Sequence, residues 1–176
     1  PRSLGLICTA GSGDAEPLER LGNITDAIGR WTFWFLRMGL LPEDGELACR
    51  ALKTPKAFEE AVLNGIRLNR ALEAAPSEYA RKAMIAGVLR YGRDTAARWL
   101  ELAETYRSDN EYTWMEPYAD KGYAWIEQMA VHELKELAIR GNEIIAAAGR
   151  KGGPWLSAVL NRLLLEAALG ELPNER

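Results

Sequence analysis

The stretch AAGRKGGPWLSAVLNRLLLEAALGELPNER, residues 147–176, decides the fold class. Read at intervals of four, it gives Trp155, Val159, Leu163 and Ala167, and beside them Leu156, Leu160, Leu164 and Ala168. The two rows are neighbours on a helical cylinder, so the spacing predicts one helix with one buried apolar stripe. Ser157, Asn161, Arg162 and Glu166 fall on the opposite face. Pro154 suits the first helical turn, where its missing N–H would have no partner. Gly152 and Gly153 are expected to turn the chain tightly just ahead of it. Gly170 ends the helix and Pro173 prevents its renewal.

Working back from this helix, almost every segment follows the same period. Strand signals are missing: there is no sustained alternation and no Asn-Gly or Asp-Gly hairpin. An all-α fold is expected. A helix over about 26–38 carries Ile28, Trp31, Phe35 and Met38 on one face, with Trp34 and Leu36 beside them. LLPEDGE reads as a turn before a short helix in DGELACRAL. The next helix is capped by Thr54 with Pro55 in its first position; Ala57, Ala61, Val62, Ile66, Leu68 and Leu72 face inward. Ser77 is the expected cap of a helix ending at Gly92. A helix over 93–106 follows, with Ala96, Trp99, Leu100 and Ala103 inward. Further helices are expected near 120–129 and 141–148, with a short helical turn near 132–137. Residues 1–13 read as a loose segment and 14–22 as a short helix. The stretch RSDNEYTWMEPYADK breaks the period, so two small lobes are expected: a body over 14–106 and a tail over 120–176, joined by a linker over 107–119. Tyr112, Trp114 and Tyr118 in that linker read as packing between lobes rather than as base-stacking platforms, and Trp31, Trp34, Trp99, Trp125 and Trp155 as core.

The chain has 176 residues, 48% apolar and 27% charged, with a formal net charge of −3. That is ordinary globular material, and the mild acidity argues against a dedicated nucleic-acid binder without excluding a local basic face. No apolar run approaches the ~20 residues needed to cross a bilayer, and the N-terminal residues read neither as a signal peptide nor as an anchor. Cys8 and Cys49 make no disulfide framework or metal spacing, and a reducing, cytoplasmic setting is expected. His132, the single histidine, has no nearby cysteine with which to build a zinc site and reads as half-buried or surface. Glu59 and Glu60 sit where the helix dipole explains them, and Ser3 and Ser12 have no partnered base.

The entry to the last helix is basic. Over 133–162 five positive charges, Lys135, Arg140, Arg150, Lys151 and Arg162, face three negative ones, Glu133, Glu136 and Glu143. Arg150 and Lys151 stand at a helix N-terminus whose free amides attract anions. The bland alternative is a solvated helix end.

Three segments here, LAIRGNEI (137–144), GRKGGPW (149–155) and GELPNER (170–176), occur in the order that closes bacterial class II CCA-adding tRNA nucleotidyltransferases, which the chain resembles. GRWTFWFLRMGL (29–40) and CRALKTPKAF (49–58) are similar to that family's helical body. The resemblance covers roughly 26–176. It implies a helical body and tail that hold the acceptor stem and T arm of tRNA by shape and backbone contacts. The catalytic head, with its metal-binding Asp-x-Asp pair and nucleotide-cradling turn, and the base-reading neck have no match in this sequence, so no catalytic residue is assigned. Mg²⁺ and CTP or ATP are implied only for that head, and this chain alone, read as a C-terminal fragment, is expected to be inactive. The expected partners are tRNA and the head and neck of the same polypeptide, with no membrane. Backbone contacts are expected at Arg140, Arg150, Lys151, the amides of Gly152 and Gly153, and Arg162, with Lys53 and Lys56 as a second pair. The alternative is a protein-interaction or oligomerisation module without RNA binding; an independent enzyme comes third.

Overall fold

The computed structural model describes residues 22–107 and 110–175, and the expected loose segment and most of the helix near 14–22 lie outside them. Among the described residues the fold is all-α, with eight α-helices and no strand. They are α1 Ala27–Arg37, α2 Pro42–Ala51, α3 Lys56–Glu73, α4 Ala80–Tyr91, α5 Arg93–Thr105, α6 Glu116–Glu127, α7 Gly141–Ala148 and α8 Pro154–Ala168. Short 3₁₀ turns cover Ser77–Tyr79, Asn110–Met115 and Leu134–Glu136.

Several starts differ from the sequence expectation, each for a local reason. Pro42 opens α2 and Pro117 lies in the first turn of α6, so two prolines taken as breakers are starters. Thr54 does not cap α3: its hydroxyl turns back and donates to the Cys49 carbonyl (3.2 Å), and Pro55 occupies the cap position. Ser77 lies inside a 3₁₀ turn closed by the Tyr79 amide on the Pro76 carbonyl (2.9 Å), which delays α4 to Ala80. Gly92 is the single joint between α4 and α5, and its φ of +89° is one that L-residues rarely adopt.

The main core runs from Ile24 through Leu68, Met84, Trp99, Tyr118 and Ile126 to Leu164 and Leu169, so α8 is anchored by its C-terminal half. Arg81 donates to the Leu169 carbonyl (3.3 Å), fixing the start of α4 to the end of α8. A smaller cluster of Phe35, Cys49, Val62, Leu63 and Ile66 joins α1, α2 and α3. Burial raises the pKa of the Cys49 thiol, opposed by the Thr54 hydroxyl and assisted by Glu59, and keeps it an inert apolar filler.

The aromatic run at 112–118 packs inward. Tyr118 is buried, meets Trp99 edge-on at 5.5 Å and Trp125 at 6.2 Å, and donates to the Leu72 carbonyl (3.1 Å). Desolvation pushes its pKa up to about 12, which keeps the phenol protonated as a donor. Tyr112 and Trp114 are half-buried against the same core. Trp99 donates to the buried Asn69 side chain (3.0 Å), which ties α5 to α3. Ala57, expected inward, is exposed, on the side of α3 that borders the start of α5.

Candidate nucleic-acid interface

Helices α7 and α8 form a hairpin. A Cβ at Gly141 would touch Leu156 (3.5 Å), and one at Gly152 would stand 3.1 Å from Ile145, so α8 lies against the first residue of α7 and the loop between them folds close onto Ile145. Gly149 closes α7 in the left-handed region (φ +62°). Neither Gly152 nor Gly153 uses a positive φ, and Gly153 is extended, so the expected tight turn is made by Gly149. What Gly152 supplies is room beside Ile145.

The stripe of α8 is only half sunk. Leu164, Ala167 and Ala168 are buried, whereas Val159 is 36% exposed and Trp155 is half-buried. Trp155 is therefore not core. It is not among the residues packed against the main core, and the ring serves the entry loop instead. Its indole N–H donates to the Lys151 carbonyl (3.0 Å), and the Arg150 guanidinium lies 4.0 Å from the ring centroid. Arg150 and Lys151 are exposed and make no ion pair with a carboxylate among the described residues. The amides of Gly152 and Gly153 stand at the start of α8, free of backbone partners among those residues.

The other expected contacts are more committed. Arg140 donates to the Lys135 carbonyl (3.0 Å), while its amide is held by Glu143 (2.5 Å) at the start of α7. Arg162 pairs with Glu166 (2.8 Å), which raises its pKa. Lys53 and Lys56 lie apart, at the α2–α3 junction, exposed and without a carboxylate partner; Lys53 has a φ of +54° where the chain reverses. Six of the eight expected contacts thus share the α7–α8 hairpin, and two lie at the α2–α3 junction.

The closing residues clamp the turn ahead of α7. Asn174 accepts from the Ala138 amide (2.7 Å) and donates to the Glu136 carbonyl (2.8 Å). Glu136 in turn accepts from the amides of His132 (2.6 Å) and Glu133 (3.3 Å), which holds its carboxyl below the usual carboxylate range; Lys135, itself paired with Glu133, adds to this. His132 is exposed.

A further feature is an open surface cavity, a depression of about 420 Å³ between α3 and the start of α5, lined among others by Glu60, Asn64, Arg93, Asp94, Thr95 and Arg98. The signal available for it was a glycine followed by Arg-Asp-Thr at a helix start.

The sequence model of the tRNA nucleotidyltransferase domain 2 family matches residues 23–176. The chain belongs to that family. It is 24% identical over 156 residues to the CCA-adding enzyme of Bacillus subtilis (strain 168), spanning 88% of this chain and 36% of that protein. A 50-residue stretch is 34% identical to the CCA-adding enzyme of Anoxybacillus flavithermus (strain DSM 21510 / WK1), covering 28% of this chain and 13% of that protein. The crystal structure of Bacillus stearothermophilus CCA-adding enzyme in complex with CTP superposes with a TM-score of 0.65 at 17% identity, over 93% of this chain and 40% of that one. That likeness speaks for the fold. The chain spans at most about a third of the length of the curated relatives it matches, and its resemblance to the body and tail region of CCA-adding enzymes holds.

Among the described residues no group of three His, Cys, Asp or Glu side chains stands close enough to hold a metal ion, and no helix is long and apolar enough to cross a membrane. The described residues do not bring together the carboxylates that the Mg²⁺ of nucleotidyl transfer needs.

Proposed function

We propose that this chain is a tRNA-holding helical region of a CCA-adding nucleotidyltransferase, gripping the acceptor stem and T arm while another part of the polypeptide handles Mg²⁺ and CTP or ATP. In this reading the body is 14–106, the tail 120–176, and the joint 107–119. The observation that carries it is the α8 entry: Arg150 and Lys151 stand without carboxylate partners beside free helix-end amides, in a member of this family. Positive groups and amides of this kind suit the phosphates of a duplex recognised by shape. Lys53 and Lys56 would extend the track onto the body. Arg140 and Arg162 contribute with part of their hydrogen-bonding already spent on Lys135 and Glu166.

The test is a salt titration of binding to tRNA or an acceptor–T-arm minihelix. Affinity should fall linearly on a log–log plot as counterion release weakens. Equal retention of tRNA and an unrelated acidic polymer at every salt concentration would defeat the proposal. One observation favours a protein contact instead: Leu47 and Leu52, on and just after α2, are 65% and 53% exposed. A mass that rises with concentration, with no RNA retained, would support that reading.

A further inference from the structure

The cavity between α3 and α5 has no role in the contacts described so far. We propose that it binds one ribose–phosphate unit of an RNA backbone, a proposal that deepens the tRNA-holding reading and rests on it. The argument starts from Thr95, which is 8% exposed and lines the cavity, and whose hydroxyl has no hydrogen-bond partner among the described residues. Thr32 and Thr105, also helical, donate back to the carbonyls four residues earlier (2.8 and 2.9 Å). Thr95 does not, and its hydroxyl is not sealed from the open space beside it.

That hydroxyl belongs to the first turn of a 13-residue helix, whose leading amides are free to meet an anion. Arg93 lines the same space and has no carboxylate partner among the described residues. Gly92 leaves the entrance open, since a Cβ there would meet nothing within 4 Å. Arg98 is held by Asp26 (2.8 Å).

A bare anion does not fit the whole lining, because Glu60 and Asp94 also border it. A ribose–phosphate unit does. Its phosphate accepts from the α5 amides, Thr95 and Arg93, while its 2′-hydroxyl donates to a carboxylate of Glu60 or Asp94.

The experiment measures the affinity of the chain for an acceptor–T-arm RNA minihelix and for its 2′-O-methyl counterpart, which keeps the A-form and removes the donor. Thr95→Val and Arg93→Gln are compared with wild type; the first preserves shape and the second alters an exposed side chain, so both should keep the melting temperature. Wild type should prefer the RNA by about tenfold, and each variant should lose about tenfold in RNA affinity. Replacing Glu60 and Asp94 together by Ala should abolish the preference for 2′-hydroxyls. Equal binding of the two minihelices by wild type, or wild-type RNA affinity in both Thr95→Val and Arg93→Gln, overturns the proposal while leaving tRNA holding intact. Inorganic phosphate binding that is lost in Thr95→Val without change in RNA affinity overturns it in favour of a free-anion site. Failure of wild type to bind the RNA at all removes the tRNA-holding reading and this one with it.

Discussion

Replacing Arg150 and Lys151 together by Gln separates a binding role from a structural one. Neither side chain pairs with a carboxylate among the described residues, so the change breaks no ion pair. What Arg150 loses is its contact 4.0 Å over Trp155, an exposed cation–π pair worth about 0.5–1 kcal/mol. The Trp155 N–H bonds to the Lys151 backbone carbonyl and survives the substitution. For a chain of this size the melting temperature should fall by about 1–4 °C. For RNA the effect is larger. Each phosphate contact contributes about 0.7–0.9 to the slope of log K against log salt, so losing two flattens the slope by about 1.5. Wild-type and variant affinities should then converge by about thirtyfold over one decade of salt. Fluorescence anisotropy of a labelled minihelix from low to high salt reads the slope, and calorimetry reads the stability. An unchanged slope with a melting temperature lowered well beyond 4 °C would assign both residues to the fold and refute the reasoning.

Asn174→Ala removes two hydrogen bonds to the 136–138 turn and should cost about 1–2 kcal/mol locally; hydrogen exchange at residues 132–140 should quicken with little change in global melting. Gly65→Ala places a Cβ 2.7 Å from the Thr32 methyl, on a side chain whose hydroxyl is already fixed to the Ile28 carbonyl; the clash should outweigh the helix-propensity gain and destabilise by about 1–2 kcal/mol in chemical denaturation. The Glu136 carboxyl is depressed in the fold, so its contribution is complete above the ordinary carboxylate range and is lost as pH falls through and below it; an NMR titration of the His132 and Glu133 amides should report a pKa below that range, and Glu136→Gln should erase the step.

The helical period made most of the architecture legible, because each stripe here is wide and faces one core. Gly92 and Gly170 were readable as stops for the same reason that the structure uses them: their positive φ values exclude most residues. The caps were less readable, since a hydroxyl such as that of Thr54 can bond backward as easily as forward. Trp155 was misjudged because periodicity says which face of a helix is apolar, not how far its neighbours extend along it. The cavity beside Thr95 was invisible for a related reason. It depends on α3 and α5 lying side by side, an alignment made by long-range contacts such as that of Asn69 with Trp99.

That alignment has a consequence at one end of the molecule. Glu60 and Asn64 lie near Arg93 and Arg98, and Asn69 near Trp99, so the two helices rise in the same direction. Their N-terminal ends therefore open on the same side, with Lys56 and Arg93 as their first residues and Glu60 and Asp94 close behind. A chain of phosphates crossing that end would meet both helix starts, so contacts at Lys56 and Arg93 should weaken together as salt rises.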